Sequence, residues 1–188
     1  MDTAARNSQF LGADEFLRTD QSEFGSAWRY ELVHGAIVAH AAPSPEHGVI
    51  LGNLAGELHS RLRGHPECRP EIGSGAAPQY EQRDTARIPD AMIRCGKHPR
   101  VLFEVISPSE LRHKRQWDQK RSDLQAIEGV QEIVEIFQDE MLVHVYRRQP
   151  SGWTFESIAG PDAEVALLSV GIAVTLAGLY ERVSPNDG

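Results

Sequence analysis

The run Val101-Leu102-Phe103-Glu104-Val105-Ile106 is apolar at every position but one. Such a run reads as a central strand buried on both faces. An unpaired carboxylate there costs several kcal/mol, so Glu104 requires a cation, a hydrogen-bond network or a metal ion. Upstream, in Ile88-Pro89-Asp90-Ala91-Met92-Ile93, period-two alternation sets Asp90 on the face of Ile88 and Met92, where an apolar residue is the default. Two carboxylates on neighbouring strands are the hard oxygen ligands that Mg2+ or Mn2+ prefers, with waters completing the octahedron. An ion held there would lower the pKa of a coordinated water and stabilise a pentavalent phosphate, the chemistry of phosphodiester hydrolysis. The alternative is structural: Asp90 caps a turn, and Glu104 pairs with an arginine such as Arg87 or Arg100.

Lys120 follows Trp117 by three residues and precedes Leu124 and Ile127 by four and seven, so on a helix its stem lies on the apolar, sheet-facing stripe. From there it either reaches the carboxylates, to orient the attacking water or stabilise the transition state, or snorkels past the core to solvent. Glu31 shares a strand face with Arg29 and Val33 and is a candidate third acid. His47 lies on the stripe of Ile50, Leu51, Leu54 and Leu58 and points inward, as a satisfied core histidine or as a group that orders water or contacts phosphate. Between positions 111 and 121, Arg112, Lys114, Arg115, Lys120 and Arg121 oppose Asp118 alone, five positives to one negative, a local balance of +4. Lys114 and Arg115 therefore belong either to a phosphate-contacting patch or to an ordinary solvated helix face.

Residues 13–17 read as a short helix, and 28–33 and 36–39 as the strands of a hairpin turning at His34-Gly35. Ser44-Pro45 supplies an N-cap and a proline at the first helical position, and Ile50, Leu51, Leu54, Leu58 and Leu62 recur at helical spacing, predicting a helix over 45–63. After a turn-rich break at 64–70, residues 77–82, 88–93 and 101–106 have strand character. A second helix is expected over 111–127, with Gly129 marking its exit, and strands over 133–137, 141–146 and 153–158. This order predicts an α/β (α+β) fold, a mixed β-sheet flanked by helices. One domain over 12–182 suits a chain of 188 residues with 40% hydrophobic content, leaving 1–11 and 183–188 as flexible termini.

Neither G-x-G-x-x-G nor G-x-x-x-x-G-K-[ST] occurs, so nucleotide-phosphate cradling has no support. The absence of H-x-x-x-H and G-x-S-x-G likewise removes zinc-protease and serine-hydrolase chemistry. Cys68 and Cys95 form no C-x-x-C pair and read as reduced thiols. No run approaches about 18 apolar residues, and positions 1–9 lack the basic and apolar regions of a signal peptide. A cytoplasmic protein with no membrane partner is the expectation. The formal net charge of −8 argues against non-specific coating of nucleic acid and leaves a non-catalytic binding module as the rival to an enzyme.

Tyr30-Glu31-Leu32-Val33-His34-Gly35, Pro43-Ser44-Pro45-Glu46-His47, Ile88-Pro89-Asp90, Phe103-Glu104-Val105-Ile106-Ser107-Pro108-Ser109 and Lys120 ahead of Gly129-Val130 stand in an order and spacing that resembles the Uma2 (DUF820) family. The resemblance runs from about Gly12 to Tyr180. It implies a restriction-endonuclease-like fold of the PD-(D/E)XK nuclease type, a Mg2+ or Mn2+ ion, nucleic acid (DNA above all) as substrate, endonuclease activity and a homodimer. It carries Asp90 and Glu104 over as metal-binding catalytic acids with the Val105 carbonyl beside them, Glu31 as an accessory acid, and Lys120 as a catalytic lysine moved from strand to helix. Three positions depart from the pattern. Ile106 stands where the wider superfamily has its strand lysine, His34-Gly35-Ala36 where the family usually has Asp-Gly-Glu, and Ile133-Val134 where an aromatic pair often follows the Glu132 position.

Overall fold

In the computed structural model, residues 12–80 and 84–183 are described. Residues 1–11 and 184–188, which include nearly all of the expected flexible termini, lie outside the described residues.

Helix α1 (Ala13–Arg18) precedes a hairpin of β1 (Arg29–Val33) and β2 (Ala36–His40), which pair from Arg29 opposite His40 to Val33 opposite Ala36. His34 and Gly35 both take positive φ (50° and 79°), the turn that matches the twist of two antiparallel strands. Helix α2 (Pro45–Arg61) starts as its sequence requires: Ser44 Oγ accepts the His47 amide at 3.2 Å and Pro45 occupies the first turn. Its stripe of Ile50, Leu54 and Leu58 is fully buried.

The central sheet has the order β3-β4-β5-β6-β7-β8, formed by Cys68–Ile72, Ala91–Cys95, His98–Ile106, Glu132–Phe137, Leu142–Gln149 and Gly152–Ala159. Only the β5/β6 pair is parallel, and a parallel pair needs a crossover. The crossover carries α3 (Pro108–Arg112) and α4 (Lys114–Gln125) over one face of the sheet. On that face Met92, Leu102 and Ile133 pack with Leu124 and Ile127; on the other, Phe103, Val105, Val134 and Ile136 share a core with α2. Short β9 (Glu164–Leu167), β10 (Ile172–Thr175) and α5 (Leu176–Leu179) close that second core, with Val165, Leu167, Val174, Leu176 and Leu179 fully buried.

Several expectations are corrected. The strand over 77–82 is replaced by isolated bridges at Ala76 and Pro78, because Pro78 has no amide for a ladder; residues 81–83 lie outside the described residues. The strand over 88–93 begins only at Ala91, after Pro89, and ends at Cys95. The supposed break at 64–70 runs into β3, where Pro70 is tolerated because β3 is the sheet edge. The single helix over 111–127 is two: a capping box of Ser107 and Glu110 starts α3, and His113 separates it from α4.

The cysteines are also corrected. Antiparallel register sets Cys68 opposite Cys95 at a Cα separation of 4.0 Å, and they form a disulfide rather than two thiols. The bond closes a 27-residue separation, for which loop-closure entropy alone gives about 3.5 kcal/mol. Oxidised wild type should therefore resist urea more than Cys95→Ser by roughly that amount, and the difference should vanish when reductant is added; equal midpoints without reductant would deny the disulfide any weight in stability.

Candidate functional site

Strand β5 delivers Glu104 to the face covered by α4, where its carboxylate is 1% exposed. Lys120, on the inward stripe of α4 with Trp117 and Leu124, brings Nζ to 2.8 Å from Glu104 Oε1 and 3.5 Å from Glu31 Oε1. The first contact is a close ion pair whose ammonium is not aligned as a hydrogen-bond donor. The buried Glu104 Oε1 consequently has no hydrogen-bond partner among the described residues. Burial, opposed by Lys120 and reinforced by the Asp90 charge, leaves the Glu104 carboxyl raised to about 8. Burial also presses the Lys120 ammonium to lose its proton, but Glu104 and Glu31 outweigh that and raise it, so it stays charged.

Asp90 sits in the irregular segment just before β4, where Gly73 donates its amide to the Asp90 carbonyl at 3.0 Å. Its Oδ2 accepts the Val105 amide at 2.8 Å and lies 3.4 Å from His47 Nε2; its Oδ1 accepts from Arg29 Nη1 at 2.8 Å. Burial opposes ionisation of Asp90, yet the His47 imidazole and the charges of Arg29 and Lys120 hold its carboxyl well below the usual range. The Arg100 and Ile106 carbonyls bond towards β6, whereas the Val105 amide turns to Asp90. The Val105 carbonyl shares that edge of β5, since N–H and C=O of one strand residue point the same way.

Glu31 reaches the cluster but is already satisfied. Oε2 accepts from Arg87 Nη1 at 2.9 Å and lies 3.3 Å from His40 Nε2, while Oε1 accepts the Ile88 amide at 3.0 Å. Arg87 also grips Asp123 of α4 through Nε at 2.9 Å and Nη2 at 2.5 Å, and Tyr80 and Gln119 donate to the other Asp123 oxygen. Arg87, one of the arginines proposed for Glu104, thus serves Glu31 and Asp123, and Asp90 is paired by Arg29. Arg29 and Asp123 were not among the sequence candidates, and Arg87 was named there only as a partner for Glu104. The signals existed: Arg29 stands two before Glu31 on the same strand face, and Asp123 stands three after Lys120 on the same helix stripe.

An open cleft of about 1370 Å³ lies over the site, lined among others by Trp28, Arg29, His40, His47, Asp90, Arg94, Ser107 and Arg112. Asp90 is at its floor, and the buried Glu104 and Lys120 lie behind. Lys114 and Arg115 do not join it: both are exposed, and Lys114 pairs with Asp118 at 2.7 Å within α4. Among the described residues no three His, Cys, Asp or Glu side chains are arranged to hold an ion. Side-chain donors would be Asp90 and Glu104 alone.

Two outcomes follow from the buried charges. Removing the Arg87 guanidinium strands Glu31 and Asp123, so Arg87→Met should cost about 3–5 kcal/mol in urea unfolding; a loss below about 1 kcal/mol would show that the network is not stabilising. Glu31 is depressed well below its ordinary 4.5, burial notwithstanding, by Lys120, His40 and Arg87. A depressed carboxyl contributes stability above its unfolded pKa that is lost as pH falls through the folded value. The melting temperature should therefore fall between about pH 5 and pH 3, and fall less steeply in Glu31→Gln; identical slopes would exclude Glu31 as a source of acid lability.

No protein of curated function matches the chain in sequence. The solved structure of a putative nuclease belonging to DUF820, from Anabaena variabilis, superposes with a TM-score of 0.66 over 92% of this chain and 99% of that one, at 20% identity. At that identity the likeness establishes the fold. The sequence pattern of Uma2, described as a putative restriction endonuclease, matches residues 13–177. The chain therefore belongs to the Uma2 family.

Proposed function

We propose that this chain is a divalent-metal-dependent endonuclease acting on nucleic acid, DNA in the first instance. The observation that carries the reading is the convergence of Asp90, Glu104 and Lys120, from a loop, a strand and a helix, behind a cleft open to solvent. The donor set suits Mg2+ or Mn2+: two carboxylates and the Val105 carbonyl are hard oxygens, and sites for these ions commonly leave the remaining positions to water and substrate phosphate. Glu104 supports the fit, because its buried Oε1 faces the Lys120 ammonium but accepts no hydrogen bond among the described residues, and burial still holds its carboxyl up at about 8, so a further cation would be met by an acid with acceptor capacity to spare. When bound, the ion would supply Lewis-acid stabilisation of the phosphate and an activated water.

The chain's own groups do the rest. Lys120 keeps its proton and aims a fixed positive charge at the developing phosphorane, while Glu104 and Glu31 hold its ammonium in place. Glu31, with both oxygens engaged, positions Lys120 and Arg87. His47, beside Asp90 at the cleft floor, is placed to contact phosphate or order a water. The reading includes one domain over residues 12–182, a cytoplasmic location, and a homodimer, for which the exposed Ile37 and Val38 on β2 offer an apolar surface.

One observation favours the rival reading of a non-catalytic module: both Asp90 oxygens are already met by protein groups. Asp90→Ala separates the two. For the nuclease, Mn2+ should raise the melting temperature of wild type but not of the variant, and metal-dependent cleavage of plasmid and oligonucleotide substrates should vanish with the fold intact. Lys120→Ala should keep the Mn2+ shift and lower kcat by about 100- to 1000-fold. A wild type with no Mn2+ shift and no cleavage would leave the module.

A further inference from the structure

The two arginines of the site are used differently. Arg87 spends Nε, Nη1 and Nη2 on Glu31 and Asp123 and is 6% exposed, a structural clamp. Among the described residues Arg29 bonds through Nη1 alone, to Asp90 Oδ1 at 2.8 Å, and its Nε is buried without a partner; its side chain, 18% exposed, lines the cleft. Five donors in a planar fork, with one nitrogen occupied, leave the Arg29 guanidinium short of the bidentate pairing it is built for.

Its single bond also lies where a cation must go. Asp90 Oδ2 is fixed by the main-chain amide of Val105, which cannot move without breaking the strand, and by His47. Oδ1 is held by a side chain that can. A dication using Oδ1 therefore displaces Arg29, which stands at the cleft wall on β1 beside the exposed Trp28. Charge says where the guanidinium goes next. With a dication present and Glu104 ionised, Glu31, Asp90, Glu104 and Asp123 give −4, and Arg29, Arg87 and Lys120 with the ion give +5. The remaining +1 is what one phosphodiester, a monoanion, would neutralise.

We propose that Arg29 is a metal-released phosphate clamp: it holds Asp90 Oδ1 while no ion is bound and, displaced by the ion, pairs bidentately with a phosphate of the nucleic acid in the cleft. The idea rests on the metal-dependent nuclease reading, and it couples ion and substrate through Arg29 in addition to any phosphate oxygen the ion itself takes. An arginine tied down in the ion's absence also keeps the carboxylates of the empty site from repelling one another.

The test measures Mn2+ affinity by electron paramagnetic resonance, and oligonucleotide affinity by fluorescence anisotropy with Ca2+ or EDTA, on wild type, Arg29→Met and Arg29→Lys. In wild type, Ca2+ should tighten oligonucleotide binding. Arg29→Met, with no competitor for Oδ1, should bind Mn2+ about tenfold more tightly yet lose most of the Ca2+-dependent gain for the oligonucleotide. Arg29→Lys keeps the charge without the fork, so its Mn2+ affinity should stay near wild type while the oligonucleotide gain falls. Wild-type Mn2+ affinity and wild-type gain in Arg29→Met would overturn the clamp and leave the nuclease reading standing. Wild type that binds no Mn2+ would overturn both.

Discussion

Charge buried between β5 and α4 is the constraint on which the architecture turns. Glu31, Asp90, Glu104, Lys120 and Asp123 are each 6% exposed or less, and Arg87 joins them. Carboxylates and ammonium groups in such a place are tolerable only when each finds its counterpart at contact distance, because desolvation of an unpaired ion exceeds what packing returns. The elements must therefore meet in one arrangement: the hairpin supplies Glu31, the segment before β4 supplies Arg87 and Asp90, the central strand supplies Glu104, and the crossover helix supplies Lys120 and Asp123. An apolar interface tolerates a sliding helix; a charged one does not.

The parallel β5/β6 pair is what makes the meeting possible. Its crossover must pass over a sheet face, and the face it covers is the one that displays Glu104 and, directly opposite in register, Glu135. The two acids have different fates. Glu135 is bound by Trp117 Nε1 at 3.0 Å and Arg121 Nε at 2.5 Å, with Arg121 stacked over the Tyr146 ring, and is spent on holding the helix. Among the described residues Glu104 has Lys120 as its one ion-pair partner. One face thus carries a structural acid and a spare one side by side.

What the sequence disclosed follows the range of the interaction that encodes it. Local periodicity placed α2, the β1/β2 hairpin, β5 and the inward aspect of Lys120 and His47, because caps, turn residues and stripe spacing act within a few positions. Proline misled at Pro70 and Pro78, where only sheet position decides whether a missing amide matters. Partners set by long-range register were not legible: nothing near Cys68 announces Cys95, and nothing near Arg87 announces Asp123. Glu135 is a different case. It interrupts an apolar run just as Glu104 does, so the same argument applied to Ile133-Val134-Glu135-Ile136 finds it. Nor did composition separate the exposed Lys114 and Arg115 from cleft-lining Arg112, since a positive run does not say which side faces the cleft.

A lysine carried by a helix, as Lys120 is, differs from one carried by a strand in what must be held fixed. A strand side chain is located by the ladder on either side, whereas each residue of slip turns a helix by about 100° and advances it by about 1.5 Å, enough to carry Nζ out of contact. Lys120 is accordingly bracketed. Three positions before it Trp117 is bonded to Glu135, and three positions after it Asp123 is locked to Arg87, both on the same stripe and both to partners outside the helix. These two anchors set rotation and translation together. The buried acids beyond Glu104 and Asp90 thus make sense as parts of one device whose task is to keep a single ammonium within 3 Å of a single carboxylate.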